Sequence, residues 1–374
     1  MSFYDRIKGR GWAETGREIE DRTEANVQTA LGAVRQGGVD LDHFLSLLSP
    51  AAENHLEETA AIAHRITRRR FGNTMGLFAP LYVSNFCNNR CVYCGFNSNN
   101  SVRRLALSPE QAVAEGEFIR AMGFRHLLLV SGEAPQVVSL DYFREIIGLL
   151  RPLFSSIGAE IYPMSVEDYR SLIGCGVDGL TVFQETYNEG AYGGYHPGGR
   201  KGNFQWRIET PDRAGEAGFR RIGLGALLGL EDWRVEGFYL GVHAKYLMRK
   251  YWKSQISISF PRLRPAAGSF EVPRPVSDKE FVQLLTALRL FLPDAGFTLS
   301  TREPAELRDH LIGLGITSMS AGSRTEPGGY THPQSGGAEA QFEICDDRDP
   351  ETIAGVIRQK GYEPVWKDWD EALS

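Results

Sequence analysis

Apolar and polar residues follow two different periods along the chain, and the period changes near residue 80. Before that point, apolar residues recur at helical spacing over residues 18–35 and 55–70, which predicts amphipathic helices. From Pro80 onward, short apolar runs alternate with longer amphipathic segments, a pattern typical of strands that are each followed by a helix. The predicted strands cover residues 81–85, 126–131, 159–163, 179–185, 221–227, 255–260, 297–301 and 317–321.

The segments between these runs begin with helix start signals. Ser108, Pro109 and Gln111 provide an N-cap, a proline at the first helical position and a capping-box partner. Ser277 and Glu280 repeat this arrangement before a later helix. Strands that alternate with helices eight times predict an α/β fold of the (β/α)₈ TIM-type barrel class. An open doubly wound sheet fits the same alternation, and periodicity alone does not separate the two.

Three parts of the chain are expected. Residues 1–76 form an N-terminal helical extension, residues 77–325 form the barrel, and residues 326–374 form a C-terminal α/β segment packed on the barrel. In the last part we predict a glycine-rich loop that includes Gly336 and Gly337, a strand over 339–344 and a helix over 350–360. The tail from Glu363 to Asp370 is aromatic, so we expect it to pack against the barrel.

The overall composition narrows the choice of partners. The chain has 374 residues, of which 42% are hydrophobic and 24% charged, and 41 Lys and Arg face 47 Asp and Glu for a net charge of -6. This mild acidity gives no reason to expect a nucleic-acid or membrane partner. The first ten residues lack the apolar stretch of a signal peptide, and no apolar run approaches the roughly 20 residues of a membrane span. The expected location is the cytoplasm.

The cysteines indicate chemistry. Three of the five, Cys87, Cys91 and Cys94, follow the first predicted strand in the pattern C-x₃-C-x₂-C, which in a barrel places them at the C-terminal face where active sites lie. Three thiolates can hold three corners of an iron–sulfur cubane and leave the fourth iron open. A zinc site is the alternative, but it needs a fourth ligand, and residues 95–125 contain no Cys or His. Cys175 and Cys345 stand alone and are expected to be small buried residues.

The triplet, with the aromatic Tyr93 just before its last cysteine, resembles the fingerprint of the radical S-adenosylmethionine (SAM) superfamily. The resemblance implies a [4Fe–4S] cluster and SAM as cofactors, with SAM bound to the open iron and cleaved by one electron to methionine and a 5′-deoxyadenosyl radical. Ser131, Gly132 and Glu133 resemble the motif that receives the SAM amino group, with Ser131 in place of a glycine. Further SAM contacts are implied at Tyr93, at Glu160 (to the ribose), and at Gln184, Ile222 and Gly225.

Residues 80–87, 93–96 and 360–369 narrow the resemblance to the aromatic amino acid lyases of that superfamily, over nearly the whole chain. The resemblance implies cleavage of the Cα–Cβ bond of L-tyrosine to 2-iminoacetate and p-cresol, which supplies the thiazole of thiamine. Ser323 and Arg324, at the end of the eighth strand, are the candidates for the substrate carboxylate, because a guanidinium binds carboxylates bidentately. Arg262 is a second choice. Alternatively, Arg324 forms a structural pair with Glu326 or Glu343.

Other activities fit parts of the same pattern. The tyrosine lyase of [FeFe]-hydrogenase maturation carries further cysteines in a C-terminal extension, and the sequence up to Ser374 has none there. A lyase acting on tryptophan or another aromatic amino acid differs only in pocket side chains. A non-catalytic iron–sulfur protein would not need the SAM-binding pieces. The implied partners are thiazole synthase, which takes the 2-iminoacetate, and flavodoxin or ferredoxin as the electron donor.

Overall fold

Parallel strands close into a barrel in the computed structural model, which describes residues 2–331 and 340–367. Each of the eight predicted barrel strands overlaps an observed one, and the predictions for 126–131 and 179–185 match at both ends. The strands are β1 (Thr74–Ser84), β2 (His126–Ser131), β3 (Ser156–Glu160), β4 (Gly179–Glu185), β5 (Arg221–Ala226), β6 (Gln255–Ser259), β7 (Gly296–Leu299), β8 (Ser318–Ser320) and β9 (Glu363–Val365).

The pairing of β1 decides between the barrel and the open sheet. Neighbouring strands from β2 to β8 pair in chain order, and β1 then pairs in parallel with both ends of that series. Leu81 is in register with Leu129 of β2, and Leu77 is in register with Met319 of β8. The (β/α)₈ barrel is therefore confirmed, and with it the expectation that the C-terminal ends of the strands meet at one face.

Helices connect the strands and surround the barrel. They are α1 (Phe3–Ile7), α2 (Trp12–Glu20), α3 (Glu24–Arg35), α4 (Leu41–Leu48), α5 (Leu56–Phe71), α6 (Pro109–Ala121), α7 (Leu140–Leu150), α8 (Val166–Cys175), α9 (Glu189–Tyr195), α10 (Phe204–Ile208), α11 (Thr210–Ala217), α12 (Trp233–Lys250), α13 (Asp278–Phe291), α14 (Ala305–Leu311) and α15 (Pro350–Gln359). Ser108 and Ser277 cap α6 and α13 through capping boxes, as predicted. Among the residues described, no helix is both long and apolar enough to cross a membrane.

The N-terminal helices pack against α12 and α13. Phe44 stacks on Phe291 with ring centroids 4.1 Å apart, and Phe3 stacks on His243 at 3.9 Å. The prediction of one helix over residues 18–35 is wrong, because α2 ends at Glu20 and α3 begins at Glu24. The side chain of Asn26 accepts hydrogen bonds from the Thr23 backbone N–H (2.9 Å) and hydroxyl (2.8 Å), and this capping box starts a new helix inside the apolar repeat.

The C-terminal segment differs in part from the prediction. Helix α15 confirms the helix predicted for 350–360. The strand predicted for 339–344 is wrong over residues 340–344, which form bends across the cysteine loop instead. Their hydrogen bonds go to loops rather than to a strand: Gln341 N–H donates to the Thr325 carbonyl at 3.0 Å, and its own carbonyl accepts from Gly95 N–H at 3.1 Å. Gly336, Gly337, Glu339 and the tail beyond Lys367 lie outside the described residues.

The tail up to Lys367 packs on the barrel as expected. Gly76 of β1 is in register with Ser318 of β8 on one side and with Val365 of β9 on the other. β9 therefore pairs with the first residues of β1, on the side opposite β8. Trp366 then meets Phe124 edge-on at 5.2 Å. The expectation that both isolated cysteines are buried is wrong, since Cys175 is half-buried and Cys345 exposed.

Candidate active site

A cavity of about 220 Å³ runs down the barrel axis from the C-terminal ends of the strands. Gly158, Gly179 and Gly223 line it from β3, β4 and β5. Because glycine has no side chain, there is room for the Arg221 side chain beside Gly179 and for the Thr181 side chain beside Gly223, and both line the cavity. The space that remains inside the barrel can take a ligand.

The cysteine loop lies at the mouth of this cavity. Cys94 lines the cavity, Cys91 is buried, and Cys87 is half-buried. The loop is fixed to the end of β2: Asn88 N–H donates to the Glu133 carbonyl at 2.8 Å, and the Asn89 side-chain amide donates to the Glu133 carboxylate at 2.7 Å. The structure thus places the predicted Glu133 against the loop that carries the three thiols.

Gly132 allows this close approach. A Cβ atom at position 132 would overlap the Phe86 carbonyl oxygen and lie 3.1 Å from the Cys87 Cβ. The neighbouring Ser131 ends β2 with a half-buried side chain whose hydroxyl donates to the Gly132 carbonyl at 3.0 Å. Only glycine at position 132 therefore lets the end of β2 pack directly on the cysteine loop.

The three thiols suit a cluster better than a single ion. Burial is the main reason that the pKa of Cys91 rises to about 12, and the neighbouring Cys94 and Cys87 reinforce the shift. Within residues 2–331 and 340–367, no three His, Cys, Asp or Glu side chains are grouped tightly enough to hold one metal ion. Three thiolates on one loop are a ligand set that iron–sulfur clusters use, and they leave the fourth iron of a [4Fe–4S] cluster open.

Four charged side chains line the cavity near the thiols. The Lys201 ammonium lies 2.5 Å from a carboxylate oxygen of Glu185. Burial, reinforced by Glu185, raises the pKa of Glu160 to about 7, while Arg302 opposes this shift. Arg302 stacks on Phe342, with its guanidinium carbon 3.4 Å from the ring centroid. The part of the cavity near the thiols therefore presents two cations and two acids to a ligand, which suits zwitterionic amino acids.

Tyr93, a predicted SAM contact, lines the cavity beside Lys201. Its hydroxyl lies 2.8 Å from Nε2 of His196, whose Nδ1 lies 2.9 Å from the Tyr192 carbonyl. Burial, with the charge of Lys201, lowers the pKa of His196 to about 2, so the ring is neutral. Its single N–H donates to the Tyr192 carbonyl, and Nε2 accepts from the Tyr93 hydroxyl.

The alternation of side chains along the strands decides which other predicted residues reach the cavity. Phe183 and Glu185 of β4 face it, whereas Gln184 between them does not line it. Glu160, which the resemblance implies as a contact of the SAM ribose, lines the cavity. Ile222 is buried away from the cavity lining, and Gly225 is covered by the Phe183 ring. In the sequence, the only sign that Glu185 could reach the cavity is its place at the end of a predicted strand.

Of the two residues predicted to bind the substrate carboxylate, Ser323 and Arg324, only Ser323 lines the cavity. Its hydroxyl is buried and has no hydrogen-bond partner among the described residues. The side chain of Arg324 is exposed and does not line the cavity. Arg262 is held by Asp278 (2.7 Å) and by Glu303, outside the cavity lining.

Sequence reasoning missed Arg302 and Lys201. Arg302 lies in the loop just beyond β7, which ends at Leu299, so the end of the seventh strand offered a signal for it. Lys201 lies in a short 3₁₀ turn, Arg200–Gly202, between α9 and α10. No local pattern marks a residue in such a loop as facing the barrel axis.

Comparison with known proteins agrees with this architecture. The model of the radical SAM superfamily matches residues 81–239, and that of the biotin and thiamin synthesis associated domain matches residues 259–363. 2-Iminoacetate synthases of Salmonella typhimurium and Escherichia coli are each 44% identical over 375 aligned residues, covering 100% of this chain and 98% of the relative. The solved FeFe-hydrogenase maturase HydG of Carboxydothermus hydrogenoformans is 34% identical, with a TM-score of 0.89 over 98% of this chain and 86% of that one.

A parallel barrel with a three-thiol loop at the open end of its cavity is the architecture of a radical SAM enzyme. Because the similarity to the two synthases extends over the full chain, the protein belongs to the 2-iminoacetate synthase family.

Proposed function

We propose that this protein is a radical SAM lyase that cleaves the Cα–Cβ bond of L-tyrosine. The products are 2-iminoacetate and p-cresol, and SAM is converted to 5′-deoxyadenosine and methionine. The observation that carries the proposal is the cavity itself, in which the cysteine loop adjoins two cations, Lys201 and Arg302, and two acids, Glu160 and Glu185. Two amino acids, SAM and tyrosine, need two cations for their carboxylates and two acceptors for their ammonium groups or hydroxyls.

Cys87, Cys91 and Cys94 would hold the cluster. When bound, the cluster and SAM together supply a one-electron cleavage whose product removes a hydrogen atom from the substrate. The chain's own contribution is to bind, orient and exclude water. The burial of Cys91 and the residues 340–342 that cross the cysteine loop support such exclusion.

The SAM end of the cavity would be the end nearest the thiols. Lys201 interacts electrostatically with Cys91 and lies 5.7 Å above the Tyr93 ring, so it is placed to receive the carboxylate of the SAM methionine moiety. Glu160 would accept hydrogen bonds from the ribose. Gly132 and Glu133 would form the wall behind the amino group.

The tyrosine carboxylate would bind Arg302 rather than Arg324. Arg302 lines the cavity and is fixed by Phe342, whereas the side chain of Arg324 is exposed. Ser323, with its unpartnered hydroxyl, would donate to the same carboxylate. This assignment retains Ser323 from the sequence-based prediction and replaces its arginine.

Partners and location follow from the chemistry of the product and of the thiols. An imine such as 2-iminoacetate hydrolyses readily in water, so direct transfer to thiazole synthase would preserve it. Reduction of the cluster needs a one-electron donor such as flavodoxin or ferredoxin. All five cysteines are unpaired, which agrees with a reducing compartment such as the cytoplasm.

The decisive experiment is anaerobic turnover of the reconstituted protein with SAM, dithionite and L-tyrosine, followed by mass spectrometry. The proposal expects 5′-deoxyadenosine, p-cresol and glyoxylate, the hydrolysis product of 2-iminoacetate. Cys91→Ala should abolish all three, and Cys345→Ser, at an exposed cysteine, should abolish none. Deoxyadenosine without p-cresol would contradict the tyrosine assignment and favour another aromatic amino acid.

A further inference from the structure

Glu185, at the end of β4, has a strained backbone. Its φ of 71° is the only positive value at a non-glycine position among the described residues. A left-handed conformation is unfavourable for a residue with a side chain, and it persists only where neighbouring contacts hold it. The register between β4 and β5 also shifts between Phe183 and Glu185. The turn at Glu185 therefore needs a specific support.

A buried acid on a neighbouring helix provides that support. Glu236 of α12 is fully buried and does not line the cavity. One of its carboxylate oxygens bonds to the Thr186 hydroxyl, and the other accepts from Tyr187 N–H at 2.9 Å. The Thr186 hydroxyl in turn accepts from Asn188 N–H at 3.0 Å. All three residues directly follow Glu185, so Glu236 fixes the chain immediately beyond the strained position.

The turn has a consequence inside the cavity. It directs the Glu185 carboxylate to the Lys201 ammonium, 2.5 Å away. Lys201 is also tied to the cysteine loop, because its backbone N–H donates to the side-chain oxygen of Asn89 at 3.0 Å. The contacts thus run from Glu236 through Glu185 to Lys201, at the end of the cavity that holds the thiols.

We propose that Glu236 is a positioning residue for SAM: it holds the turn at Glu185 and thereby keeps the Lys201 ammonium in place for the SAM carboxylate. The inference rests on the proposed function only in so far as SAM binds beside Lys201; it does not depend on tyrosine. Glu236 touches neither cofactor nor substrate. It acts through Glu185, whose carboxylate restrains an otherwise flexible lysine.

The test is the dissociation constant of SAM for the cluster-reconstituted protein, without reductant and without tyrosine, measured by calorimetry. Glu236→Ala is expected to weaken SAM binding about tenfold with unchanged iron content, since a tenfold loss corresponds to about 1.4 kcal/mol, within the range of a charge-assisted contact. Glu236→Gln can still accept from Tyr187 N–H and bond to Thr186, so its affinity should stay within about threefold of wild type.

Gln283→Ala is the matched control. Gln283 is equally buried on α13 and donates to the Leu47 and Ser49 carbonyls, away from β4. Its loss is expected to lower the melting temperature and leave SAM affinity unchanged. Equal losses of affinity in Gln283→Ala and Glu236→Ala would overturn the proposal, because the effect would then be general destabilisation.

A double-mutant cycle tests the route through Glu185. If Glu236 acts through Glu185, then Glu236→Ala adds little to the loss already caused by Glu185→Gln. If the fold losses of SAM affinity in the two single variants multiply in the double variant, the route through Glu185 is overturned.

Should Glu236→Ala fail to fold, Thr186→Val removes the bridging hydroxyl with little change of shape and is expected to weaken SAM binding at least threefold. Wild-type affinity in that variant would contradict the proposal. Wild-type protein that binds SAM but releases no p-cresol would refute the tyrosine assignment and leave this inference intact.

Discussion

Glu185 stores strain that can be measured directly. Replacing it with alanine keeps the left-handed strain, whereas glycine adopts φ of 71° freely. We expect Glu185→Gly to be more stable than Glu185→Ala by about 1 kcal/mol, although glycine is less stable than alanine at most positions in a strand. Urea unfolding of the two cluster-free variants measures the difference. Greater stability of the alanine variant would mean that position 185 is not left-handed in solution.

Glu236 should make stability depend on pH. Burial raises its pKa to about 8, and the neighbouring acids Glu231 and Asp232 reinforce the shift. The folded protein therefore keeps a proton that the unfolded chain releases above about pH 4.5, so stability is full below that pH and declines as the pH rises through 8. Glu236→Gln removes this decline. Urea unfolding at pH 5 and pH 8 should show the variant gaining on wild type by on the order of 1 kcal/mol or more; a constant difference would contradict the raised pKa.

Arg302 and Arg324 can be separated by matched substitutions. We expect Arg302→Gln to raise the KM for tyrosine roughly 10- to 100-fold, because hydrogen bonds to a charged group contribute about 1.5–3 kcal/mol. Arg324→Gln should stay within about threefold of wild type, since its side chain is exposed. Steady-state p-cresol formation measures both. The opposite ranking would restore the sequence-based assignment of Arg324.

At the scale of single residues, the sequence predicts a site whose residues lie close together in the chain. The three cysteines lie within eight positions, so their shared site could be recognised without the fold. Lys201 and Arg302 come together with Cys94 only because loops from distant parts of the chain meet over the barrel. Gln184 and Glu185 are neighbours at a strand end, and the sequence does not reveal which of the two faces inward, so the predicted SAM contact fell on Gln184.

At the scale of elements, the contact between β2 and the cysteine loop depends on one glycine. A Cβ at Gly132 would overlap the loop backbone at Phe86, so Gly132→Ala should displace the loop. We expect a reduced iron content per chain after anaerobic reconstitution, measured by a colorimetric iron assay. Gly148→Ala, on the exposed face of α7 with no atom within 4 Å of the added Cβ, is the control and should retain full iron. Full iron in both variants would show that the loop tolerates the displacement.

The strands and most helices were predictable because each carries its own periodic signal and caps. The failures have a common physical cause. Residues 340–344 alternate like a strand, but their backbone bonds to the Thr325 carbonyl and to Gly95 rather than to a neighbouring strand. Between α2 and α3, an N-cap interrupts an apolar repeat that is otherwise continuous. In both places, hydrogen bonds at the ends of elements outweigh the pattern of apolar residues.

At the scale of the whole molecule, the N-terminal helix α1 packs behind the segment that follows the turn at Glu185. Phe3 is fully buried and stacks on His243, which lies 3.0 Å from the Tyr187 hydroxyl. We expect Phe3→Ala to cost about 3 kcal/mol and to lower the melting temperature by several degrees, measured by scanning calorimetry. Leu149→Ala, at a side chain that is 46% exposed, is the control and should change the melting temperature little. Equal shifts would mean that Phe3 does not anchor the helix.

The same contact has a consequence for how the chain is made. Phe3 N–H donates to the Asp212 carboxylate, 209 positions further along the sequence. At about 5–20 residues per second, translation of that interval takes roughly 10–40 s, and throughout it the aromatic side chain has no docking place. The first segment to leave the ribosome thus cannot complete its packing until more than half of the chain has been made, so slow or interrupted translation prolongs the time in which Phe3 can be captured by chaperones or by other nascent chains.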